Sequence, residues 1–463
     1  MAKVLLWFRN DLRLEDNPAL DRALAFGCKQ AIYIKTPQQW LQHNKAAIQI
    51  DLIERHLEML AFQLRAIGVS LEIVEAADFK SQADYLINKC EQEQIESVFA
   101  NTELELNENL RDKAIQSAGV SLKLTQADTV LPLGQVTNQQ GQMYRVFTPY
   151  KKAWLQQVRA YAWPLLKELP DIPLYEEANS DRISSAWHLA DSVMRNDWPT
   201  FLHEHIHKYH ELRDLPYDDM TSKLSPYLAI GAISVRSLCM QVLHLYPEVI
   251  DEKDTGVSVW LSEIIWREFY RNLLFHCPDL IKGGCFVEKY NHLVWPDSIA
   301  CFQLWSEART GFPIIDAAMR QLHLTGWMHN RLRMIVASFL TKNLLVNWRL
   351  GERHFMQHLV DGDFAANNGG WQWSASTGCD AQPYFRVFNP VSQSKKFDPD
   401  GHFIRKYLPE LENVPAKHIH EPQVYLAATG QSHKYWPAVV DLKLSRQQAI
   451  EFYGMNNEQS RIA

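Results

Sequence analysis

The chain has 463 residues, 46% of them hydrophobic and 22% charged, with a formal net charge of −7, so it is globular, large enough for two or three domains, and neither disordered nor fibrous. No apolar run approaches the ~18 residues of a membrane span, and MAKVLLWFRNDLRL turns charged too early for a secretory signal. Seven cysteines, an odd number without framework spacing or a CxxC pair, predict reduced thiols and a cytoplasmic location.

Residues 1–130 alternate short apolar runs with amphipathic stretches. The predicted strands are Val4–Phe8, Ala31–Ile34, Leu71–Val74, Ser97–Ala100 and Ser121–Leu124, and the clearest helix between them runs from Ala46 to Ala66. Strand and helix alternating at this spacing predict an α/β domain with a doubly wound parallel sheet. Such a sheet binds ligands at the carboxyl ends of its strands, yet the GxGxxG and GxxxxGK[ST] phosphate loops are both missing from the sequence. Arg9, Asn10, Asp11 and Arg13 follow the first strand and read equally as ligand contacts or as cap and loop polars. Residues 131–202 are rich in Pro and Trp and predict a long linker with a few short helices. From His203 to 463 the pattern is helical and predicts an all-α domain.

The helical part carries the chemistry. His203-Glu204-His205-Ile206-His207 matches HExxH, the spacing that puts two imidazoles on one helix face for zinc. No third ligand is evident downstream, so a solvated His-rich helix is the more economical reading and no metal is expected. Tyr209 and then Thr221-Ser222-Lys223-Leu224-Ser225 form a hydroxyl-rich turn, either an anion cradle or plain capping. Glu263, Trp266 and Arg267 stand at i, i+3 and i+4 and share one face, able to grip a base edge and stack on its ring, or simply to pair over core aromatics. Asn330 and Met334 form a second i,i+4 pair. From Arg320 to His354 six Lys/Arg (320, 331, 333, 342, 349, 353) face one acid, Glu352, a local charge of 6 − 1 = +5 that suits an anion. Asp361-Gly362-Asp363 precedes Asn367-Asn368-Gly369-Gly370, and paired glycines admit a flat ligand close to the backbone. Of 15 tryptophans, nine lie between Trp260 and Trp436, a density that suits a protein stacking planar groups.

The strings LLWFRNDLRLEDNPAL, TPQQWLQHN, VFTPYKKAWL, SVWLSEIIWREFYR, GFPIIDAAMRQLHLTGWMHNRLRM, DGDFAANNGGWQWSASTG and YFRVFNP together resemble the photolyase/cryptochrome family over nearly the whole chain, most closely its bacterial class I branch acting on cyclobutane pyrimidine dimers. The resemblance implies an antenna-chromophore domain at 1–130, a linker at 131–202 and an FAD-binding catalytic domain at 203–463. It implies that Tyr209, Thr221, Ser222, Lys223, Leu224 and Ser225 hold the FAD phosphates and ribityl chain. Asn330, Arg333, Asp361, Gly362, Asp363 and Asn367 would surround the isoalloxazine, with Asp361 and Arg333 as a charge pair and Asn367 near N5. Trp371, Trp348 and Trp295 would carry electrons from the surface. Glu263, Trp266, Arg267, Asn330, Met334 and Trp373 would receive the lesion, and Arg267, Arg331, Arg386 and Lys395 its phosphates. Catalytic roles fall to Glu263, Asn330, Met334 and Asn367.

The implied function is light-driven repair of dimer-containing DNA by a monomer with no membrane partner. A blue-light receptor of the cryptochrome type is the alternative, and a zinc peptidase a distant third. Retention of the cavity residues and the short stretch after the helical domain favour repair. His43, Asn44, Asn107, Glu108 and Lys282 resemble the contacts of folate-using members, which implies 5,10-methenyltetrahydrofolate as antenna. Ile281 stands where a bacterial relative carries cysteine, and a deazaflavin or an empty site is the alternative.

Overall fold

The computed structural model describes residues 3–163, 170–177, 181–218, 220–251, 253, 255–296 and 298–459, with side chains to 454. The chain forms two compact units. One comprises Met1–His207, Ser222–Ile281 and Val360–Gly362; the other comprises Lys208–Thr221, Lys282–Leu359 and Asp363–Ala463.

The first unit is built on a five-stranded sheet of β1 (Val4–Phe8), β2 (Gln30–Lys35), β3 (Ser70–Glu75), β4 (Ser97–Asn101) and β5 (Leu122–Thr125). All pairs are parallel and the order is β3-β2-β1-β4-β5. Every residue of β1 is buried, as expected of a central strand covered on both faces, which is why it reads as an unbroken apolar run. The connecting helices are α1 (Pro18–Ala25), α2 (Ala47–Ala66), α3 (Phe79–Gln92) and α4 (Leu106–Ser117). Local chemistry starts them: Asn17 accepts from Leu20 N ahead of Pro18 at the first helical position, and Asp78 accepts from Ser81 N at 2.8 Å.

The order reverses at β1, where such sheets open a crevice at the carboxyl ends. Here side chains fill it. Arg9 makes a two-pronged pair with Asp112 at 2.8 and 2.7 Å, and Asn101, at the end of β4, donates to Asp11 at 2.6 Å and Asn17 at 2.7 Å. All five residues are buried. The polar cluster after the first strand is therefore structural.

The same unit holds α5 (Phe147–Ala160), longer than the short linker helices that composition predicts. Its buried Tyr150, Trp154 and Val158 recur every four residues, a helical stripe masked by the Pro/Trp bias around it. Residues 164–169 and 178–180 of the predicted linker lie outside the described residues. Helix α6 (Gly256–His276) opens on a capping box between Thr255 and Ser258. It packs on α5 through the indole N–H of Trp154, which donates to buried Glu268 at 2.6 Å.

The second unit is helical among its described residues. Its central helices are α7 (Pro313–Thr325), α8 (Asn330–Ser338), α9 (Trp348–His358) and α10 (Phe364–Ser374). Proline opens α7 and Gly326, at φ +69°, closes it. After α8 the backbone widens into a π-helical turn, Phe339–Asn343, whose five side chains are all buried. One apolar core gathers Trp295, Trp305, Trp348 and Trp371 with Phe355, Phe339 and Tyr453. Helices α9 and α10 approach closely at Gly351, where a Cβ would stand 2.1 Å from the Trp371 ring.

Candidate functional site

In the first unit α6 sets Glu263, Trp266 and Arg267 on one half-buried face. The Trp266 ring lies flat on Phe147 of α5, with centroids 3.6 Å apart and planes 4° apart, and Tyr270 stacks nearby at 5.6 Å. Arg267 bonds the carbonyl and the carboxylate of Asp128, and Arg271 takes the second carboxylate oxygen at 2.5 Å. Burial would raise the Asp128 carboxyl, but the two guanidinium groups overcome it and hold the group down at about 2. Arg267 thus has a fixed anionic partner within the protein.

Thr221–Ser225 also begins to take shape. Lys223 has φ +48°, Leu224 is buried, and the Trp260 indole donates to Ser222 at 3.3 Å. The Thr221 hydroxyl is buried with no partner among the described residues, a polar atom ready for a ligand. Thr221 and buried Tyr209 belong to the second unit, Ser222–Ser225 to the first; Asp361 and Gly362 belong to the first, Arg333 and Asp363 to the second.

The second unit presents Asn330, Arg331, Arg333 and Met334 on α8. Arg331 pairs with Asp214 at 2.6 Å and lies 4.5 Å above the Phe397 ring. Arg333 Nε donates to the Met328 carbonyl at 2.8 Å. Asp363 caps α10 through Ala366 N, and Asn367 and Asn368 follow on its first turns. Both asparagines reach Glu352 of α9: Asn367 donates to its carbonyl at 3.0 Å and Asn368 to its carboxylate at 2.8 Å. Burial pushes Glu352 up to about 7. Trp373, at the far end of α10, is half-buried. Trp295, Trp348 and Trp371 share the core described above, and the indole N–H groups of Trp348 and Trp371 have no acceptor among the described residues.

The basic excess counted along 320–354 does not form one solvated face. Arg320 pairs with Glu410 at 2.5 Å, Arg349 Nε donates to the Gly283 carbonyl at 2.7 Å, and Lys342 is fully buried on the π-helical turn. Burial, with Arg386 nearby, lowers Lys342 to about 7, and its ammonium donates to the Arg386 carbonyl at 3.0 Å. Asp214 and Glu410, far away in sequence, are invisible to local counting.

Two groups of histidines separate here. His203 lies on a π-helical turn, Phe201–His205, and His207 on the 3-10 turn after it, so the α-helical spacing that zinc needs is not met. Neither belongs to a group of three metal-capable side chains among the described residues. In the antenna set, His43 follows β2 and Asn107–Glu108 follow β4. The Asn107 amide meets His43 at 3.0 Å, Glu108 approaches His43 at 3.8 Å, and Asn44 sits at φ +56°. Burial, then Glu105 and Glu103, push Glu108 up to about 8, and one of its carboxyl oxygens is unpartnered among the described residues. Lys282 is exposed in the second unit.

Comparison with known proteins gives this geometry a family. Residues 4–173 match the model of DNA photolyase, and residues 260–455 match the FAD binding domain of DNA photolyase. The chain belongs to the DNA photolyase family. A protein of Vibrio cholerae named deoxyribodipyrimidine photo-lyase is 46% identical over 97% of this chain and 98% of its own length. One of the same name from Escherichia coli is 41% identical over 98% of both. Among solved structures, a class III photolyase from Agrobacterium tumefaciens superposes with a TM-score of 0.83 at 30% identity, covering 99% of this chain and 98% of its own. A Synechocystis cryptochrome reaches the same TM-score at 26% identity, covering 98% of this chain and 99% of its own. Within this photolyase-family chain, sequence reasoning misses Trp305, fully buried and edge-on to Trp371 at 6.0 Å, and Glu352, the hub of the paired asparagines. An acid inside a basic run is the only local sign of Glu352; Trp305 gives none beyond its type.

Proposed function

We propose that this protein is a lyase that repairs cyclobutane pyrimidine dimers in DNA with light, using FAD. The observation that carries the reading is full-length similarity, at 41–46% identity, to enzymes named deoxyribodipyrimidine photo-lyase, in a chain that keeps Glu263, Trp266, Asn330, Met334 and Trp373. When bound, reduced and excited, FAD supplies the single electron that weakens a cyclobutane ring, a bond system on which ordinary acid–base chemistry has no purchase; the electron returns after cleavage.

The residues present suit that cofactor. Tyr209 and Thr221–Ser225 would hold its phosphates and ribityl chain, with the unpartnered Thr221 hydroxyl as a ready contact. Asn330, Arg333, Asp361, Gly362, Asp363 and Asn367 would surround the isoalloxazine. The Asn367 amide N–H is tied to Glu352, which leaves its oxygen as the acceptor for a ring N–H near N5. Asp361, which is buried, would offer the flavin ring a negative charge and Arg333 a positive one. Trp371, Trp348 and Trp295 would relay an electron inward; the indole N–H groups of the first two have no hydrogen-bond acceptor among the described residues, which favours passing the hole onward over trapping it by proton loss.

Trp266 and Trp373 would stack on the bases of an extruded lesion, with Glu263 hydrogen-bonded to it. Enzymes that act on a base inside a duplex, photolyases included, swing it out of the stack, and a distorted dimer costs less to unstack than a sound pair. Arg267, Arg331, Arg386 and Lys395 would meet phosphates, which makes affinity fall with salt. The Asp128 and Asp214 partners keep Arg267 and Arg331 pre-oriented and reduce their net attraction. His43, Asn44, Asn107, Glu108 and Lys282 would hold 5,10-methenyltetrahydrofolate; neutral Glu108, raised to about 8, both donates and accepts, as a pterin edge requires. We further infer a cytoplasmic monomer. None of the seven cysteines is joined in a disulfide, and among the described residues no helix is long and apolar enough to cross a membrane.

The test is illumination of the reduced protein with a dimer-containing oligonucleotide. Loss of the lesion in light and not in darkness is expected. No loss in light, with FAD bound, would favour a blue-light receptor of the cryptochrome type.

A further inference from the structure

Three histidines that no step above uses come together in the second unit. His323 lies in the last turn of α7. His354 and His358 stand four apart on α9, so both project from one face of that helix. One nitrogen from each ring falls within 4.8 Å of the other two. His354 and His358 rings are 4.2 Å apart, and His323 to His358 is 5.1 Å. Nε2 of His323 and Nε2 of His354 stand 3.5 Å apart.

That distance suits a shared cation. Two nitrogens each about 2.0–2.1 Å from a tetrahedral zinc stand roughly 3.3–3.4 Å apart. A single N–H···N hydrogen bond between two rings would leave the third without a reason to be there. His358 is also oriented as ligands are. Its Nδ1 bonds the His354 carbonyl at 2.8 Å, which makes Nδ1 the protonated nitrogen and turns the Nε2 lone pair outward. His354 is braced edge-on against Trp305 at 5.4 Å and Phe302 at 6.1 Å. His323 is exposed, which gives an ion a route in.

We propose that His323, His354 and His358 form a three-imidazole site for a borderline divalent transition ion, with zinc as the reference occupant and a water in the fourth position. Imidazole-only sites select zinc, copper, nickel and cobalt over magnesium and calcium. The ion ties the end of α7 to the end of α9, the helix that begins with Trp348, and so acts as a clasp.

The experiment uses full-length protein stripped with chelator and gel-filtered. It is titrated with Zn²⁺ by calorimetry and, separately, with Co²⁺ to read the visible bands of tetrahedral coordination. One ion per chain is expected, with a melting temperature that climbs with Zn²⁺ concentration. His323→Ala and His358→Ala, checked for intact fold by circular dichroism, should each weaken binding by about tenfold or more. Because His323 is exposed, His323→Gln serves as the variant least prone to misfold. The double variant His203→Ala/His207→Ala should bind as the parent does. Parent protein that takes up no stoichiometric Zn²⁺, triad variants that bind equally well, or a loss confined to the 203/207 variant would each overturn the proposal.

Discussion

Trp266 carries two loads at the residue scale. Its ring is stacked on Phe147 before any DNA arrives, with Tyr270 stacked nearby, so the protein already uses part of the ring that a base would meet. Trp266→Ala should therefore weaken binding of dimer-containing DNA by about 1–3 kcal/mol and lower the melting temperature as well. Trp266→Phe keeps the stack on Phe147 and should restore the melting temperature more than the affinity. A folded Trp266→Ala protein with parental affinity in a filter or fluorescence assay would remove Trp266 from the lesion cavity. Trp348 is fully buried and its indole N–H bonds nothing among the described residues, so Trp348→Phe forfeits no hydrogen bond. Its stability loss should stay below the ~3–5 kcal/mol of a Trp→Ala change. Photoreduction of oxidised flavin should stop while pre-reduced enzyme still repairs. If both fail together, the ring is only scaffolding. Long motif matches announce these tryptophans in the sequence. Nothing there announces Trp305, and only its place in a basic run marks Glu352, because their importance lies in partners that folding brings near.

At the scale of elements, period is the readable signal. All five strands are legible to within a residue or two because each is a short apolar run between polar turns. Helix α6 is legible for the same reason. The π-helical turn at Phe339–Asn343 is not, since one extra residue per turn leaves no mark on composition, yet it is what turns Lys342 inward. Charge counting fails there for that reason. The α9–α10 contact is equally hidden. Gly351→Ala would drive a methyl into the Trp371 ring, 2.1 Å from the added carbon. We expect about 1–3 kcal/mol of destabilisation in denaturant unfolding and altered Trp371 fluorescence. A neutral substitution would mean that the two helices slide apart without cost.

On the scale of the whole molecule, buried acids link stability to pH. Glu268 is held up at about 7 from an ordinary 4.5, chiefly by burial, with Trp154 and Val130 opposing. Between those values the folded chain binds more protons than the unfolded one, so this group stabilises below pH 4.5 and its contribution fades as pH rises to about 7. Glu268→Gln removes the titration. The melting temperature of the variant relative to the parent should rise across pH 5–7 and then level off, as read by scanning calorimetry. Parallel curves would mean that Glu268 is ionised throughout. No composition or motif foretells this group, because what shifts it is a dry environment assembled from α5, α6 and the turn at Val130.

The filled crevice at the sheet's order reversal has a consequence for assembly. Arg9, Asp11, Asn17, Asn101 and Asp112 are tied to one another by hydrogen bonds within the α/β scaffold, so its switch point is closed by the chain's own side chains. An antenna pigment, where one binds as proposed, would then be dispensable to the folding of that scaffold.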